Sequence, residues 1–485
     1  MIRKIVVIGA GTIARSFLNT LRTFIPNDGG VQIILIDRDP TRTANLASLS
    51  TNYSVSQRDL FESAIFLEQE NIFYRFDSET LIVCATGNWM VDLLSAETIA
   101  RLYPQVNLYL FSHRFPPFIA KNLQALEERQ GMKFEYSDLK EMVLQKILTL
   151  LLYPSILSHE YLSNQTIMIK VQLSKLPSAS AIETLLQTPG LAILLGERRV
   201  LRNHEQLKEQ FEKRGQAQLV FIGSENIWPA LKVIGVQTLS PNEKILILDD
   251  NESFYPAQLV QVFLNRHLSK SFRYIGPFSK THSLIDHHPY LQDQIRVISE
   301  ENFQHFLEHQ EDLLKECSVH VLMFQMMIKN IIYAETIEKV RGSMNLPYGR
   351  LLLMDQMLFN TLSNDTFNTI VRTVLAERGE AQKEPAESAL RSTVFIQQSD
   401  VFEEISSKVL LRMFPQNDES FRFHSNRSLR LLMVTESNFA GISKFIERHN
   451  LTVVGIERHK VGFLTKAQID SPEALVAGDQ LIYIE

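Results

Sequence analysis

The chain has 485 residues, of which 45% are hydrophobic and 21% are charged, and its formal net charge is −6. This composition is typical of a globular protein, and the negative charge argues against binding to nucleic acid, which needs a basic surface. Its two cysteines, Cys84 and Cys317, exclude a disulfide framework and fit a reducing compartment. No uncharged apolar run is long enough to cross a bilayer and no cleavable signal opens the sequence. We therefore expect a cytoplasmic protein without direct membrane insertion.

The first segment has the pattern of a phosphate-binding turn. An apolar strand at residues 4–8 runs into a GxGxxA sequence at residues 9–14, and a second apolar strand ends at Asp37. Glycines in this pattern permit a tight turn and close approach of a pyrophosphate to the backbone at the start of a helix, and the acid can bind ribose hydroxyls. Arg38 is a candidate contact for a 2′-phosphate, with a solvated loop residue as the alternative.

A third apolar strand, at residues 81–84, leads into the small residues of an Ala-Thr-Gly-Asn turn. In a doubly wound sheet such a turn lies at the strand ends where ligands bind, although an ordinary turn has the same composition. The sequence thus predicts cofactor contacts, with no catalytic residue and no metal ligand, at Gly9, Ala10, Gly11, Thr12, Ile13, Ala14, Asp37, Arg38, Thr86 and Gly87.

The chain also repeats itself. Residues 218–223 and 244–249 resemble the strand–turn–strand pattern of residues 4–9 and 31–37. The sequence around Ser137 resembles that around Ser399, and each indicates a polar cap followed by an amphipathic helix. A third matching pair is residues 190–198 and 450–458. Three blocks in the same order predict a duplication.

The duplication predicts an α/β fold with two tandem Rossmann-like doubly wound parallel sheets, each followed by a long helix and a small α+β lobe. The predicted divisions are residues 1–136 for the first sheet domain, 137–214 for its helix and a short lobe, 215–398 for the second sheet domain, and 399–485 for the second helix and lobe. In the second copy, Glu225 and Trp228 stand where the turn needs small residues, so we expect nucleotide binding only in the first copy.

One short motif has the residues of a metal site, but we interpret it as part of a helix surface. His305, Glu308 and His309 form an HxxEH pattern, which resembles an inverted zinc-protease sequence. Two histidines four residues apart on a helix can share a metal, but no further ligand accompanies them. The prediction is the mixed surface of one helix.

The closing strands, at residues 451–458 and 475–484, resemble the C-lobe of RCK (regulator of potassium conductance) or TrkA-type proteins, whose last strand follows a Gly-Asp turn such as that at Gly478 and Asp479. Residues 364–378 are similar to a helix of the RCK N-lobe. The resemblance implies tandem N-lobe and C-lobe pairs, with the helices near Ser137 and Ser399 as the crossover helices of dimerisation.

The resemblance also implies a function. Such a protein binds NAD(H) or an adenine nucleotide (ATP or ADP), here in the first N-lobe only. It assembles as a homo-oligomer (a dimer or a tetramer) and docks on a membrane-embedded cation channel or transporter, so that it is peripheral to the inner face of the membrane. Two alternatives remain open from the residues alone, an NAD(P)-dependent oxidoreductase and a non-catalytic scaffold with an empty pocket. A dehydrogenase needs a separate substrate domain, and a second copy of the fold occupies that position, so we expect no enzyme.

Overall fold

The fold is taken from a computed structural model of the chain. Its described residues are 2–24, 30–47, 53–57, 76–113, 115–128, 133–162, 166–196, 199–239, 243–250, 254–265, 272–276, 286, 289–292, 294–297, 303–324, 327–346, 350–355, 393–413, 421–422, 429–434, 442, 444, 446–447, 451–458, 461–468 and 475–484. The predicted N-lobe helix at residues 364–378 lies outside them, as do Glu197 and Arg198.

The first part of the chain forms a six-stranded parallel sheet with strand order β3-β2-β1-β4-β5-β6. Its strands are β1 (Lys4–Ile8), β2 (Gln32–Asp37), β3 (Tyr53–Gln57), β4 (Thr80–Cys84), β5 (Asn107–Ser112) and β6 (Lys133–Asp138). Since β6 ends at Asp138, the sheet extends two residues beyond the predicted boundary at residue 136. The strand order reverses between β1 and β4, which is where doubly wound sheets bind ligands.

The helices described for this sheet are α1 (Thr12–Phe24), α2 (Pro40–Ala47), α3 (Trp89–Leu102) and α4 (Ala120–Glu127). Helix α1 is amphipathic, because Ile13, Phe17 and Leu21 recur at helical spacing and are buried. Every residue of β4 is buried, as expected for a central parallel strand covered on both faces. The sheet and its helices enclose a continuous apolar core.

A helix and a small mixed lobe follow. The elements are α5 (Leu139–Leu152), β7 (Ile156–Tyr161), β8 (Ile167–Leu173), α6 (Ala179–Leu186), β9 (Ala192–Leu195), β10 (Arg199–Val200), α7 (His204–Arg214), β11 (Ala217–Gly223) and α8 (Ile227–Val233). The five strands form an antiparallel sheet with order β10-β9-β11-β8-β7. Gly215 ends α7 in the left-handed conformation, with φ +68°.

The predicted start of the second sheet domain at residue 215 is wrong. Strand β11, which the sequence predicts as the first strand of that domain, pairs antiparallel with β8 along its whole length and also with β9. It is therefore the last strand of the first small lobe, and this lobe has a complete five-stranded sheet rather than a shortened one. An apolar strand that ends in glycine has the same sequence pattern in a parallel and in an antiparallel sheet, which explains the error.

The second parallel sheet begins at residue 244. Its elements are β12 (Lys244–Leu248), α9 (Phe254–Asn265), β13 (Phe272–Gly276), β14 (Ile295–Val297), α10 (Phe303–Glu308), α11 (Glu311–Glu316), β15 (Cys317–Leu322), α12 (Met327–Ser343), β16 (Arg350–Asp355) and β17 (Thr393–Gln397). The order β14-β13-β12-β15-β16-β17 repeats that of the first sheet strand by strand. Asp249 consequently follows the first strand of this sheet and not, as predicted, the second.

The chain ends in a second small lobe, with α13 (Gln398–Met413), β18 (Phe421–Arg422), β19 (Leu429–Met433), β20 (Thr452–Arg458), β21 (Gly462–Thr465) and β22 (Gln480–Ile484). The strand order β18-β19-β22-β20-β21 is that of the first small lobe read from its other edge. Both sheet types are thus duplicated with their topology intact, and the predicted fold class of tandem Rossmann-like sheets with small α+β lobes is confirmed. Gly478, with φ +98°, forms the turn before β22 together with Asp479, as predicted.

The polar residues that the sequence predicts as caps lie at or next to the starts of the two long helices. Ser137 lies in β6, and its hydroxyl group is 2.6 Å from the hydroxyl group of Tyr109. The Asp138 carboxylate accepts a hydrogen bond from the Phe115 N–H at 2.7 Å. Ser399 lies inside α13, one residue after the helix begins. Asp138 directly precedes α5, whereas Ser399 lies within α13, so the polar residues mark the start of each helix to within two residues.

The chain divides into two compact units that each combine separate stretches of sequence. Unit 1 contains Met1–Leu139, Ser155–Gln237 and Val401–Glu485, and unit 2 contains Lys140–Pro154 and Thr238–Asp400. Unit 1 thus holds the first parallel sheet with most of α13, and unit 2 holds the second parallel sheet with α5. Each parallel sheet is grouped with the long helix that follows the other one.

Specific contacts support this grouping within each unit. In unit 1, the rings of Phe111 and Phe402 lie 4.8 Å apart, and Glu404 accepts a hydrogen bond from the Tyr161 N–H at 3.2 Å. In unit 2, the Leu239 N–H donates to the Leu152 carbonyl oxygen at 2.6 Å. Among the helices that the structure describes, none combines the length and the apolar character needed to span a bilayer.

Candidate nucleotide site in the first parallel sheet

The turn after β1 is built around Gly9. Its backbone has φ +103°, a conformation that residues with a side chain rarely adopt, and its N–H donates to the Ile36 carbonyl oxygen at 2.8 Å. A Cβ atom on Gly9 would stand 2.6 Å from the Ala85 carbonyl oxygen and 2.7 Å from the Thr86 Cα. Glycine is therefore required here by the protein itself, because the turns after β1 and β4 touch at this point.

Gly11 differs from Gly9 in this respect. No atom of the described residues lies within 4 Å of a Cβ built on Gly11, and its φ is not in the left-handed region. Neither internal packing nor backbone conformation requires glycine at this position, whereas close approach of a ligand to the backbone would.

The start of α1 provides the hydrogen-bond donors. The Gly11 carbonyl oxygen accepts the first helical hydrogen bond, from the Arg15 N–H at 3.1 Å, which leaves the N–H groups of the first turn without intrahelical partners. Thr12 is exposed, whereas Ile13 and Ala14 are buried, with 1% and 0% of their surface accessible. Of these predicted contacts, Ile13 and Ala14 thus present only backbone to a ligand.

Asp37 ends β2 beside the same turn. One carboxylate oxygen accepts the Ala10 N–H at 2.6 Å and the other accepts the Asp39 N–H at 2.8 Å. Each oxygen keeps a further lone pair for a ribose hydroxyl group. The acid thus fixes the glycine turn and remains half-exposed, while Arg38 is exposed next to it. The structure brings Gly9, Ala10, Gly11 and Asp37 together, as the sequence predicts.

The turn after β4 forms the opposite wall. Thr86 is half-buried, and Gly87 is exposed with φ +80°. The His113 ring, which follows β5, lies 3.7 Å from the position that a Cβ on Gly87 would take. Asn88 caps α3 by accepting the Met90 N–H at 3.0 Å. The sequence placed Thr86 and Gly87 correctly at the strand ends, but it did not indicate His113.

Asp92 is the main functional candidate that the sequence did not reveal. Its side chain is fully buried in the first turn of α3, and Oδ1 accepts both the backbone N–H and the hydroxyl group of Thr86, each at 2.9 Å. Burial raises the pKa of Asp92 from 3.8 to about 7, although the hydrogen bonds from Thr86 and Gly87 act in the opposite direction. One signal in the sequence could have indicated Asp92. It lies six residues after Thr86, and Asn330 lies six residues after Phe324 in the second copy.

The described residues of the second parallel sheet differ from this site at the corresponding positions. Asp249 takes the place of Gly9, because its N–H donates to Ile275 as that of Gly9 donates to Ile36. The Asp249 side chain is fully buried, and the Tyr274 hydroxyl group donates to it at 3.3 Å. Burial, together with this carboxylate, raises the pKa of Tyr274. A buried acid thus occupies the position of the tight glycine turn.

Two further differences separate the copies. Asp250 follows Asp249 and forms an ion pair with Lys329, with 3.1 Å between Nζ and Oδ2. Gly276 takes the place of Asp37, so the second strand ends without an acid. Two carboxylates at the turn would repel a diphosphate, and the described residues place no carboxylate at the position that corresponds to Asp37. The predicted loss of binding in the second copy therefore rests on these residues.

Glu225 and Trp228, to which the sequence analysis attributes the loss of nucleotide binding in the second copy, do not lie in the second parallel sheet. They belong to the turn and helix after β11, in the first small lobe.

The HxxEH motif lies at the end of α10 and in the turn after it. The His305 and His309 rings stack 4.2 Å apart, and His309 Nδ1 lies 2.8 Å from the His305 carbonyl oxygen. Among the residues described, no group of three or more potential metal ligands is found.

The sequence matches no protein-family model and no curated protein. Among solved structures, the chain is similar to the GsuK RCK domain, with a TM-score of 0.47 and 12% identity over 100% of this chain and 92% of that one. It is also similar to UDP-GlcNAc 2-epimerase from Neisseria meningitidis bound to UDP-GlcNAc, with a TM-score of 0.24 and 10% identity over 84% of this chain and 98% of that one.

Proposed function

We propose that this protein is a nucleotide-sensing regulatory subunit of a potassium or other cation channel or transporter. It binds one nucleotide, NAD(H) or ATP/ADP, in the first parallel sheet and responds by rearranging its assembly. The observation that carries the proposal is the contrast between the two copies, with an open glycine turn at Gly11 in one and, in the other, the buried Asp249 followed by Asp250 in an ion pair with Lys329.

The grouping of elements into two units supports a regulatory role. Each parallel sheet is combined with the long helix of the other half of the chain. In RCK-type proteins, which the sequence resembles, the corresponding helices mediate dimerisation. A single chain would then contain the equivalent of one dimer, and two such chains would form a larger homo-oligomer. A ligand that binds one arrangement of such an assembly more tightly shifts the population towards that arrangement.

The described part of the chain contains no separate substrate domain, which favours binding without turnover. The first sheet is followed by a small lobe and then by a second copy of the same architecture. Hydride transfer requires a substrate-binding domain that holds the substrate against the nicotinamide ring. The described residues next to the turn include backbone donors, Asp37 and the Thr86 turn, which are groups of the kind that hold a nucleotide.

The proposal is tested with the purified full-length chain. Isothermal titration with NAD⁺, NADH, ATP and ADP identifies the ligand, and light scattering with and without it measures the assembly. We expect one of these nucleotides to change the molecular mass or shape and to be recovered unchanged. Consumption of the nucleotide during the assay would instead support an enzyme.

The transport role requires a cellular measurement. Rubidium uptake is compared in cells that lack the chain and in the same cells carrying wild-type protein or a variant that folds but does not bind nucleotide. We expect only the wild type to restore regulated uptake. Equal restoration by both proteins would contradict nucleotide sensing, and no change on loss of the chain would contradict a role in cation transport.

A further inference from the structure

The turn after the fourth strand is held in the same way in both copies. In the first, the Thr86 N–H donates to Asp92 Oδ1 at 2.9 Å. In the second, the Phe324 N–H donates to Asn330 Oδ1 at 2.9 Å. Asp92 and Asn330 are equivalent by position, because each lies eight residues after the last residue of its strand, Cys84 in β4 and Leu322 in β15.

The second polar atom of the Asn330 side chain, Nδ2, shows that a hydrogen-bond donor is needed on this side. Asn330 Nδ2 donates to two backbone carbonyl oxygens, that of Phe324 at 3.2 Å and that of Met354 at 2.8 Å. Asn330 therefore needs a donor on this side. The corresponding atom of Asp92 is Oδ2, which is buried and has no hydrogen-bond partner among the described atoms.

The carbonyl groups that face Nδ2 in the second copy have direct counterparts in the first. Thr86 corresponds to Phe324, and Phe111 corresponds to Met354, because Leu110 pairs with Cys84 as Leu353 pairs with Leu322. A carboxylate oxygen would be repelled by two carbonyl oxygens, whereas a protonated oxygen would donate to them. The position thus favours the neutral acid.

We propose that Asp92 holds the turn at Thr86 and Gly87 as a neutral carboxylic acid, donating from Oδ2 as Asn330 donates from Nδ2, and that loss of its proton to solvent loosens this wall of the nucleotide site. Asp92 is a positioning residue in this arrangement. Its influence reaches the phosphate turn through Thr86, whose Cα limits the space at Gly9. The link to nucleotide affinity rests on the proposed function, but the link between the proton and the turn does not.

The surroundings of Asp92 agree with this assignment. Burial of this carboxyl raises its pKa to about 7, within the range in which cellular pH varies. Among the described residues, neighbouring elements bring two titratable side chains close to this turn. The Cys84 thiol, at the end of β4, is buried, and burial together with Asp92 raises its pKa, so it stays neutral. The other is His113, whose ring lies against Gly87.

The direction of the pH effect follows from the two states of the acid. In the unfolded or locally opened chain Asp92 loses its proton near pH 3.8, whereas in the folded protein it keeps the proton to about pH 7. Between these pH values the folded state binds more protons than the opened state, so the free energy needed to open the turn decreases as the pH rises. Above pH 7 the decline stops.

The test is hydrogen exchange of the Thr86 and Gly87 amides between pH 5 and 8, in the full chain without nucleotide and corrected for the chemical exchange rate. We expect wild-type protection to fall about tenfold per pH unit up to pH 7. Asp92→Asn should remove this slope while keeping the protection seen at low pH. Identical slopes in the wild type and Asp92→Asn would overturn the proposal.

A matched variant in the second copy tests the same effect at a position outside the candidate nucleotide site. Asn330→Asp introduces the same acid at the equivalent position, and we expect the Phe324 amide to acquire the pH slope that Thr86 loses in Asp92→Asn. A Phe324 amide that stays insensitive to pH would contradict the proposal. Nucleotide affinity is measured separately over the same pH range. Affinity that weakens towards pH 8 in the wild type but not in Asp92→Asn would extend the effect to binding, whereas an exchange slope without any binding would refute only the proposed function.

Discussion

Replacing Gly11 with aspartate should have opposite effects on stability and on nucleotide binding. Gly11 directly precedes α1, and its position is open to a side chain. Aspartate is a favourable residue at the start of a helix, because its carboxylate accepts hydrogen bonds from the free N–H groups and interacts well with the helix dipole. The free energy of unfolding should stay unchanged or rise by about 0.5–1 kcal/mol.

The same carboxylate should prevent binding. A phosphate held by the first turn of α1 would come within about 4 Å of the new charge, where two like charges repel by about 4 kcal/mol near a protein surface. That free energy corresponds to an affinity about a thousand times weaker. Salt screens part of the repulsion, so the loss should be largest at low ionic strength.

The measurements are isothermal titration with nucleotide and chemical denaturation of the same preparations. Gly11→Asn is the matched control, because it has almost the same shape as the aspartate variant and also caps a helix but carries no charge. It should retain more affinity than Gly11→Asp at equal stability. Unaltered nucleotide binding by Gly11→Asp would refute the reasoning, since the site would then lie elsewhere.

Three further predictions concern stability. Gly9→Ala should lower the free energy of unfolding by about 3 kcal/mol in a denaturant titration, because its Cβ would meet the Ala85 carbonyl oxygen at 2.6 Å in a left-handed backbone; a loss below about 1 kcal/mol would contradict that contact. Arg458→Met should cost about 2 kcal/mol by the same measurement, since it leaves the buried Asp479 carboxylate without its two-point partner at 2.8 and 2.9 Å, and unchanged stability would show that the pair contributes nothing. Residues 1–237 expressed alone should fail to form a folded monomer but should form a stable complex when co-expressed with residues 238–485, because each unit contains stretches from both fragments; a cooperatively folded, monomeric first fragment in size-exclusion chromatography would contradict this.

The sequence predicts the geometry of the glycine turn after β1 because its signals are local. Gly9, Gly11 and Asp37 act through backbone geometry and one carboxylate at fixed positions along the strands, and those positions can be read from a single βαβ unit. The duplication is also visible, because apolar strands and amphipathic helices recur in the same order. These properties are determined by neighbours along the chain.

The errors concern partners that are distant in sequence. Strand β11 looks like the first strand of a parallel sheet, and only its pairing with β8, from Ala217 with Leu173 to Gly223 with Ile167, assigns it to the small lobe. The grouping of α5 with the second sheet cannot be read from an amphipathic pattern, which indicates a buried face but not what covers it.

Asp92 escaped prediction for a related reason. A single acid in the first turn of a helix is ordinary, because it interacts favourably with the helix dipole. Its role emerges from a backbone N–H six residues earlier in the chain and from comparison with Asn330 in the other copy. The second site shows the same limit, since Asp249 corresponds to Gly9 only once the strand order of the sheet is known.

The number of nucleotides bound per chain tests the central claim most directly. Native mass spectrometry of the full-length protein, in the presence of excess ligand, should show one nucleotide per chain in the wild type and none in Gly11→Asp. Two bound nucleotides per chain would mean that the acids Asp249 and Asp250 do not close the second copy. No bound nucleotide at any concentration would mean that the open turn at Gly11 serves another purpose.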